Sequence, residues 1–435
     1  MAYYYKSLNL HHMWKGGFHC VGGNFAAASR IVGFNNLSNF KRKVFLSRPS
    51  SAVLSNKGYC SLSQVVSAIP QSNVLTSSKS ENEVVHQDLV KREENAAEAI
   101  NPSNGRVMLI DGTSVIYRAY FKLLAKVHHG HLTHADGNGD WVLTIFSALS
   151  FIIDVLGFMP SHAVVVFDHD GVPYGKSSVS PNKTVMEKGL NFRHTLYSLY
   201  KSNRPPTPDT VIQGLPYLKA AIKAMSVKVI EVPGVEADDV IGTLAVNSVK
   251  DGFKVRVVSP DKDFFQILSP SLRLLRIAPR GLEMVSFGME DFAEKYGGLK
   301  PSQFVDVMAL MGDKSDNIPG VEGIGVVHAV ELISRFGTLE NLLKCVDQVE
   351  GESIRKALRQ NANQAVLSKE LAKLRCELPE YMVPFATTDL IFKKPEDNGE
   401  KFTNLLTAVS SYAEGFSADM IIRRASKLWE KLEAR

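Results

Sequence analysis

Acidic residues stand in this sequence where apolar runs stop. Arg106–Asp111 (RVMLID) closes on Asp111, and Ala163–Asp168 (AVVVFD) closes on Asp168. The run Val227–Val232 is followed by Glu236, Asp238 and Asp239, and the run Lys254–Ser259 by Asp261 and Asp263. Further on, Asp313 and Asp316 lie in Met311–Asp316 (MGDKSD). If these carboxylates converge they repel one another: two charges about 4 Å apart cost about 4 kcal/mol at an effective dielectric of about 20. Hard divalent cations relieve that repulsion, because Mg²⁺ and Mn²⁺ take oxygen ligands and keep several waters. Neither His nor Cys falls inside these motifs, which disfavours zinc. A strand-end Asp often does no more than cap the next helix, but a cap uses one side-chain oxygen, and Glu236-x-Asp238-Asp239 and Asp261-x-Asp263 supply more than capping needs.

The elements that would carry these acids follow from the pattern. The four apolar runs are short and closed by turn residues, as buried strands are, and Leu272–Ile277 makes a fifth. Between them, Trp141–Leu156 and Asp209–Met225 have helical spacing. Strands alternating with helices predict an α/β fold with a mostly parallel sheet and flanking helices. In such sheets ligands bind beyond the carboxyl ends of the strands, so the acids are expected at one edge. Asp111-Gly112-Thr113 resembles part of a phosphatase loop of the haloacid-dehalogenase type, but that loop needs a second Asp where Leu109 stands.

Two further stretches carry cations or open backbone. Arg193, Tyr197, Lys201 and Arg204 are spaced to share one face of a helix over Phe192–Arg204, ended by Pro205-Pro206. A basic stripe with tyrosines suits a backbone phosphate and a stacked terminal base. Gly320-Val-Glu-Gly-Ile-Gly325 precedes an apolar helical run at Val326, Ala329, Val330 and Ile333, and a Gly-rich turn opening a helix offers N–H groups to a phosphate.

Composition sets the limits. The chain has 435 residues, 45% apolar and 22% charged, an ordinary globular make-up without a run apolar enough to suggest a membrane span. Four cysteines with no close pair exclude a disulfide scaffold and a CxxC zinc site. The net charge of +5 is uneven: residues 1–80 hold nine Lys/Arg, no Asp or Glu and 14 Ser, whereas the remaining 355 residues hold 41 basic and 45 acidic residues. Residues 1–80 thus read as a mitochondrial or chloroplast transit peptide, and the polar residues 81–104 as a linker. Any nucleic-acid partner must be held by local patches.

From about residue 105 to 375 the sequence resembles the 5′-nuclease domain of bacterial family-A DNA polymerases and the flap-endonuclease/5′→3′-exonuclease superfamily. The resemblance is carried by Leu109–Thr113, Tyr117–Tyr120, Val166–Asp168, Phe192–His194, Tyr200–Pro206, Glu236–Gly242, Asp261–Asp263 and Gly312–Gly325. It implies a PIN-like catalytic domain over 105–300 with an arch at 169–204 and a helix–three-turn–helix DNA-binding subdomain over 301–385; residues 386–435, beyond the resemblance, read as a helical tail. It implies metal-dependent hydrolysis of DNA, with Asp111, Asp168, Glu236, Asp238 and Asp239 around a first Mg²⁺ and Asp261, Asp263, Asp313 and Asp316 near a second, Mn²⁺ being able to substitute. Two such ions about 3.5–4 Å apart clamp the attacking and leaving oxygens of an in-line displacement. Arg193, Lys201 and Arg204 are implied to face the scissile phosphate as transition-state stabilisers. Arg118, Tyr197, Tyr200, Gly320, Gly323 and Gly325 are expected on the DNA, with a monovalent cation such as K⁺ at the glycine turn.

The sequence departs from the family in three places. Residues 169–191, with Lys176, Lys183 and Lys188, form an insertion before the Phe-Arg-His segment. Val326-Val327-His328-Ala329 replaces the family's Pro-Lys-Thr-Ala and removes a phosphate-binding Lys. Pro260 stands where Gly usually precedes Asp-Lys-Asp. The polymerase portion is absent, so the reading is a stand-alone, monomeric organellar nuclease, active on duplex DNA with a 5′ end or flap and working beside an organellar DNA polymerase. The competing readings are a DNA-binding protein that kept the fold without turnover, and a PIN-type RNA nuclease.

Overall fold

The structure is a computed structural model that describes residues 105–129, 139–169, 191–277 and 284–435. The expectations for the leader, the linker and most of the 169–191 insertion lie outside these residues.

A six-stranded sheet runs in the order β3-β2-β1-β4-β5-β6. Its strands are β1 (Arg106–Asp111), β2 (His162–Phe167), β3 (Lys228–Glu231), β4 (Lys254–Val258), β5 (Leu272–Ile277) and β6 (Met284–Phe287). The first five are parallel, and β6 alone is antiparallel, on β5. The mostly parallel α/β fold therefore holds. Strand β6 escaped the sequence reading because four residues at a sheet edge, half of them exposed, carry little alternation.

Alternation along the central strands feeds two cores. Val107 and Leu109 of β1 point into one, Met108 and Ile110 into the other, and all four are buried. The second face is covered by α1 (Gly112–His128), α2 (Asp140–Leu156) and α4 (Asp209–Ala224). Both longer helices expected from spacing are present to within a residue at each end. The first face is covered by α5 (Ala237–Lys250). The same core continues without a break into the helices α7 (Phe304–Met311), α8 (Val326–Phe336) and α11 (Ala362–Ala372).

Residues 386–435 are not a loose tail. Phe392, Phe402, Leu406, Leu428 and Trp429 are buried in the second core, and Ile391 forms a bridge with His162 at the start of β2. Helices α12 (Glu400–Ser410) and α13 (Asp419–Glu433) thus complete the outer layer over α2 and α4.

The strand order reverses at β1: its neighbours are β2 on one side and β4 on the other. That switch point opens a crevice between the carboxyl ends of β1 and β4, where ligands of such sheets bind. Asp111 is the last residue of β1, and Asp261 lies three residues past β4.

Candidate active site

Asp111 caps α1, accepting from the Ser114 N–H (2.9 Å) and the Ser114 hydroxyl. Across the crevice the Ser259 hydroxyl donates to Oδ2 (2.8 Å), the oxygen that also takes the Ser114 hydroxyl. Asp168, just past β2, accepts at Oδ1 from the N–H of Ala237 (2.8 Å), the first residue of α5. Asp261 accepts from the Asp263 N–H (2.9 Å), which closes the turn after β4. These caps and turns set Asp111, Asp168, Asp261 and Asp263 at one edge, and Asp238, in the first turn of α5, lies close enough to Asp261, Asp111 and Asp168 to feel their charge.

The nine expected acids fall into two groups. Four are ion-paired. Glu236 takes Lys201 (2.7 Å) and Arg193 (3.1 Å), and Asp239 takes Arg193 (2.7 Å). Asp313 takes Lys262 (3.0 Å), and Asp316 takes Arg204 and, at 3.7 Å, Lys201. The other five, Asp111, Asp168, Asp238, Asp261 and Asp263, meet no cation among the described residues. Burial raises the pKa of each of these five, and repulsion from neighbouring carboxylates, paired ones included, adds to the shift. Asp111 is pushed up to about 6. Asp168 and Asp261 are raised, and Asp238 and Asp263 stand well above the ordinary carboxylate range. Glu236 goes the other way: burial opposes ionisation, but Lys201 and Arg193 outweigh it and hold the group at about 2. Asp313 is likewise lowered, by Lys262 and the Ser315 hydrogen bonds acting against burial.

This split corrects the expected ligand sets. Asp239 is taken up by protein: both its oxygens accept from Arg193 and one also from the Arg375 N–H (3.0 Å). Asp313 is spent on Lys262 and Ser315. The unpaired five fit a hard divalent cation. Their donors are all oxygen, and Asp263 Oδ1 is buried without a hydrogen-bond partner among the described residues. Among the described residues no three of the side chains converge at metal-ligand distance as they lie, so binding must draw the carboxylates together.

The basic segment also differs from the expected single helix. Only Phe192–Leu196 (α3) is helical, capped by Asn191, whose side-chain amide also donates to Glu236 (2.6 Å). Tyr197 is extended, and Lys201 adopts a left-handed backbone with φ of 54°. The reason is tertiary. Tyr200 is buried with its hydroxyl 3.2 Å from both Glu236 and Asp316, and Asn203 and Arg204 bond backbone carbonyls of Lys314 and Ser315. These contacts, together with Lys201 N–H on Asp316 O (2.9 Å), override helical spacing.

Three residue roles change in consequence. Arg193 is 3% exposed and commits all five N–H donors to protein: Glu236, Asp239 twice, Leu371 O (2.9 Å) and Lys373 O (2.8 Å). It clasps the 371–373 segment to the acids and does not face solvent, contrary to its expected place on a phosphate. Tyr200, expected on DNA, is a buried tie, and burial raises its pKa. Gly320, also expected on DNA, is buried. Its N–H goes to Ser368 (3.1 Å), its carbonyl accepts from Gln364 (2.7 Å), and its φ of 66° lets it pack on Gly312. Lys201 and Arg204 remain at the pocket. Gly323 and Gly325 are exposed with open space around them, and Gly325 heads α8 without a side-chain cap. Tyr197 is half-buried against the core, and Arg118 is exposed on α1.

Two family models match this architecture. Residues 106–297 match the 5′-3′ exonuclease N-terminal resolvase-like domain, and residues 299–398 the 5′-3′ exonuclease C-terminal SAM fold. The chain belongs to the 5′-3′ exonuclease family. It is 38% identical over 275 residues to DNA polymerase I of Bacillus caldotenax, covering 63% of this chain and 28% of the relative. To thermostable DNA polymerase I of Thermus thermophilus it is 36% identical, covering 63% of this chain and 29% of the relative. It therefore spans less than a third of the length of these relatives. Among solved structures it is similar to the T5 5′-exonuclease with divalent zinc ions bound (17% identity, TM-score 0.47, 75% of this chain and 98% of that one). It is also similar to the catalytic core of Rad2 in complex with DNA substrate (15% identity, TM-score 0.48, 75% and 93%). The helices from α7 to α11, read from the sequence as the DNA-binding subdomain, lie within the second family match.

Proposed function

We propose that this protein is a divalent-metal-dependent 5′→3′ exonuclease that hydrolyses DNA phosphodiester bonds and also cuts 5′ flaps. The observation that carries the reading is the group of five carboxylates, Asp111 buried and Asp168, Asp238, Asp261 and Asp263 half-buried, brought together from the ends of β1, β2 and β4 and the start of α5 and left without an ion pair among the described residues while neighbouring acids are paired. Asp111, Asp168 and Asp238 would hold one Mg²⁺ and Asp261 and Asp263 a second, supplying a Lewis acid and a water of lowered pKa. The protein's own part is electrostatic. Arg193 and Asn191 fix Glu236, and Glu236 with Asp316 holds Lys201 and Arg204 at the rim. A phosphodiester entering there meets two cations already desolvated on one side, which favours the charge that develops on its oxygens. The exposed Gly323 and Gly325 offer backbone N–H groups to a phosphate of the duplex, and a monovalent cation there would take carbonyl oxygens of the same turn.

The composition of residues 1–80 supports action on organellar DNA, and the polymerase relatives support an organellar DNA polymerase as companion to a single working chain. A second reading, binding without turnover, is favoured by one observation: Val327, 66% exposed, occupies the place of the family's phosphate-binding Lys. The deciding experiment offers purified full chain 5′-labelled duplex, flap and RNA substrates with Mg²⁺ or Mn²⁺. Metal-dependent release of short 5′ products from DNA, lost in Asp238→Asn, is expected. No cleavage by the unmodified chain, with DNA still bound, would replace the proposal by the second reading.

A further inference from the structure

We propose that Arg276 and Lys295 form a phosphate subsite on the flank of the acidic pocket, taking a backbone phosphodiester of the bound DNA beside the one that is cut. The inference rests on the nuclease reading above and assigns it a grip outside both the basic turn at 197–204 and the glycine turn at 320–325.

Position comes first. Strand β5 runs parallel to β4, and Leu275 pairs with Val258, so Arg276 sits at the carboxyl end of the sheet, the edge where the acids gather. Its Nη2 donates to the carbonyl of Pro260 (2.9 Å), the residue directly before Asp261. The guanidinium lies 5.4 Å from the centre of the Phe265 ring. Lys295, the last residue of α6 (Met289–Lys295), brings its ammonium within 5.7 Å of that same ring and 5.4 Å of Tyr296. Two cations from different elements thus approach the same buried Phe265 ring, next to the turn that carries Asp261.

Charge comes second. Arg273 takes Glu290 (3.0 Å) and Asp291 (3.2 Å), and Lys262 takes Asp313 (3.0 Å), which leaves Asp261 as the one acid whose charge reaches Arg276, without pairing it. Neither Arg276 nor Lys295 has an ion pair among the described residues. Burial, and then repulsion from Arg276 and Lys262, lowers the pKa of Lys295, and burial lowers that of Arg276. The rings hold the Lys295 ammonium in place but supply it no counter-charge. An anion bridging the two relieves the repulsion, and a phosphodiester presents two oxygens to such a pair.

The test measures binding of the full chain to a fluorescent 5′-flap duplex by anisotropy in Ca²⁺ across a salt series. Arg276→Gln, Lys295→Gln and the double variant are compared with Lys393→Gln, an exposed lysine far from the pocket. Each phosphate contact contributes about 0.7–0.9 to the slope of log affinity against log salt. The double variant removes one phosphate contact and should lose about 0.7–0.9 from that slope and bind several-fold more weakly at low salt, with Lys393→Gln unchanged and Arg276→Lys restoring part of the loss. Lys295→Gln alone removes charge from an exposed side chain, so it keeps the test valid if Arg276→Gln disturbs the Pro260 turn. Unaltered slope and affinity in both Lys295→Gln and the double variant would overturn the subsite. No DNA binding by the unmodified chain would instead bring down the nuclease reading itself.

Discussion

Arg193→Met separates two roles for the same residue. If Arg193 is the clasp described above, its removal leaves Asp239, 1% exposed, with only the Arg375 N–H as partner. It also cuts the links to Leu371 and Lys373. Breaking one side of a buried ion pair costs about 3–5 kcal/mol, because the remaining charge stays desolvated. For a domain of this kind each kcal/mol moves Tm by about 2–4 °C, so a fall of about 6–20 °C is expected without added metal. Arg193→Lys keeps the charge but not the fork and should lie between. The double variant Arg193→Met/Asp239→Leu should recover part of the loss, since it removes the orphaned acid. Thermal and urea unfolding of the full chain read these values. A cost below about 1 kcal/mol combined with a tenfold weakening of DNA binding would refute the reasoning and return Arg193 to the phosphate.

Two shorter predictions concern the acids. Asp238→Asn should raise Tm without metal, by relieving repulsion from Asp261, Asp111 and Asp168, and should shrink the rise in Tm that Mg²⁺ or Mn²⁺ produces; calorimetry with and without metal checks both. Asp111 and Glu236 give opposite pH signs. Asp111 has a folded pKa near 6, above its unfolded value, so its contribution favours folding at low pH and is lost as pH rises from about 4 to 6, while metal affinity climbs through the same window. Glu236, held at about 2, contributes stability above about pH 4.5 that disappears as pH falls toward 2. Metal titrations at pH 5 and 7 and acid unfolding below pH 4 test the two signs.

The sheet was legible because its strands are short apolar runs with Asp at their ends, and both signals are local. The five unpaired acids were legible for the same reason. The partition of the nine acids was not, because it depends on cations from distant segments: Lys262 reaches Asp313, and Arg193 reaches Asp239 across 46 positions. Helical spacing misled at 197–204, where Tyr200 trades a helical turn for a buried hydroxyl between Glu236 and Asp316. The Gly320 reading failed because a glycine that admits a phosphate and one that admits another backbone look alike in sequence. Arg276 and Lys295 carried no signal, since only the Phe265 ring brings them together.

Gly312 and Gly320 touch back to back: a Cβ on Gly320 would stand 2.4 Å from the Gly312 nitrogen. Just inside that neck Asp313 and Ile318 exchange backbone hydrogen bonds of 2.9 and 2.7 Å. The residues between are cinched like a drawstring purse, with Asp316 at the bottom seated on Tyr200, Lys201 and Arg204. Most surface loops tolerate a change of length; this one cannot, because a single inserted residue would unseat Asp316 while leaving every strand of the sheet in place.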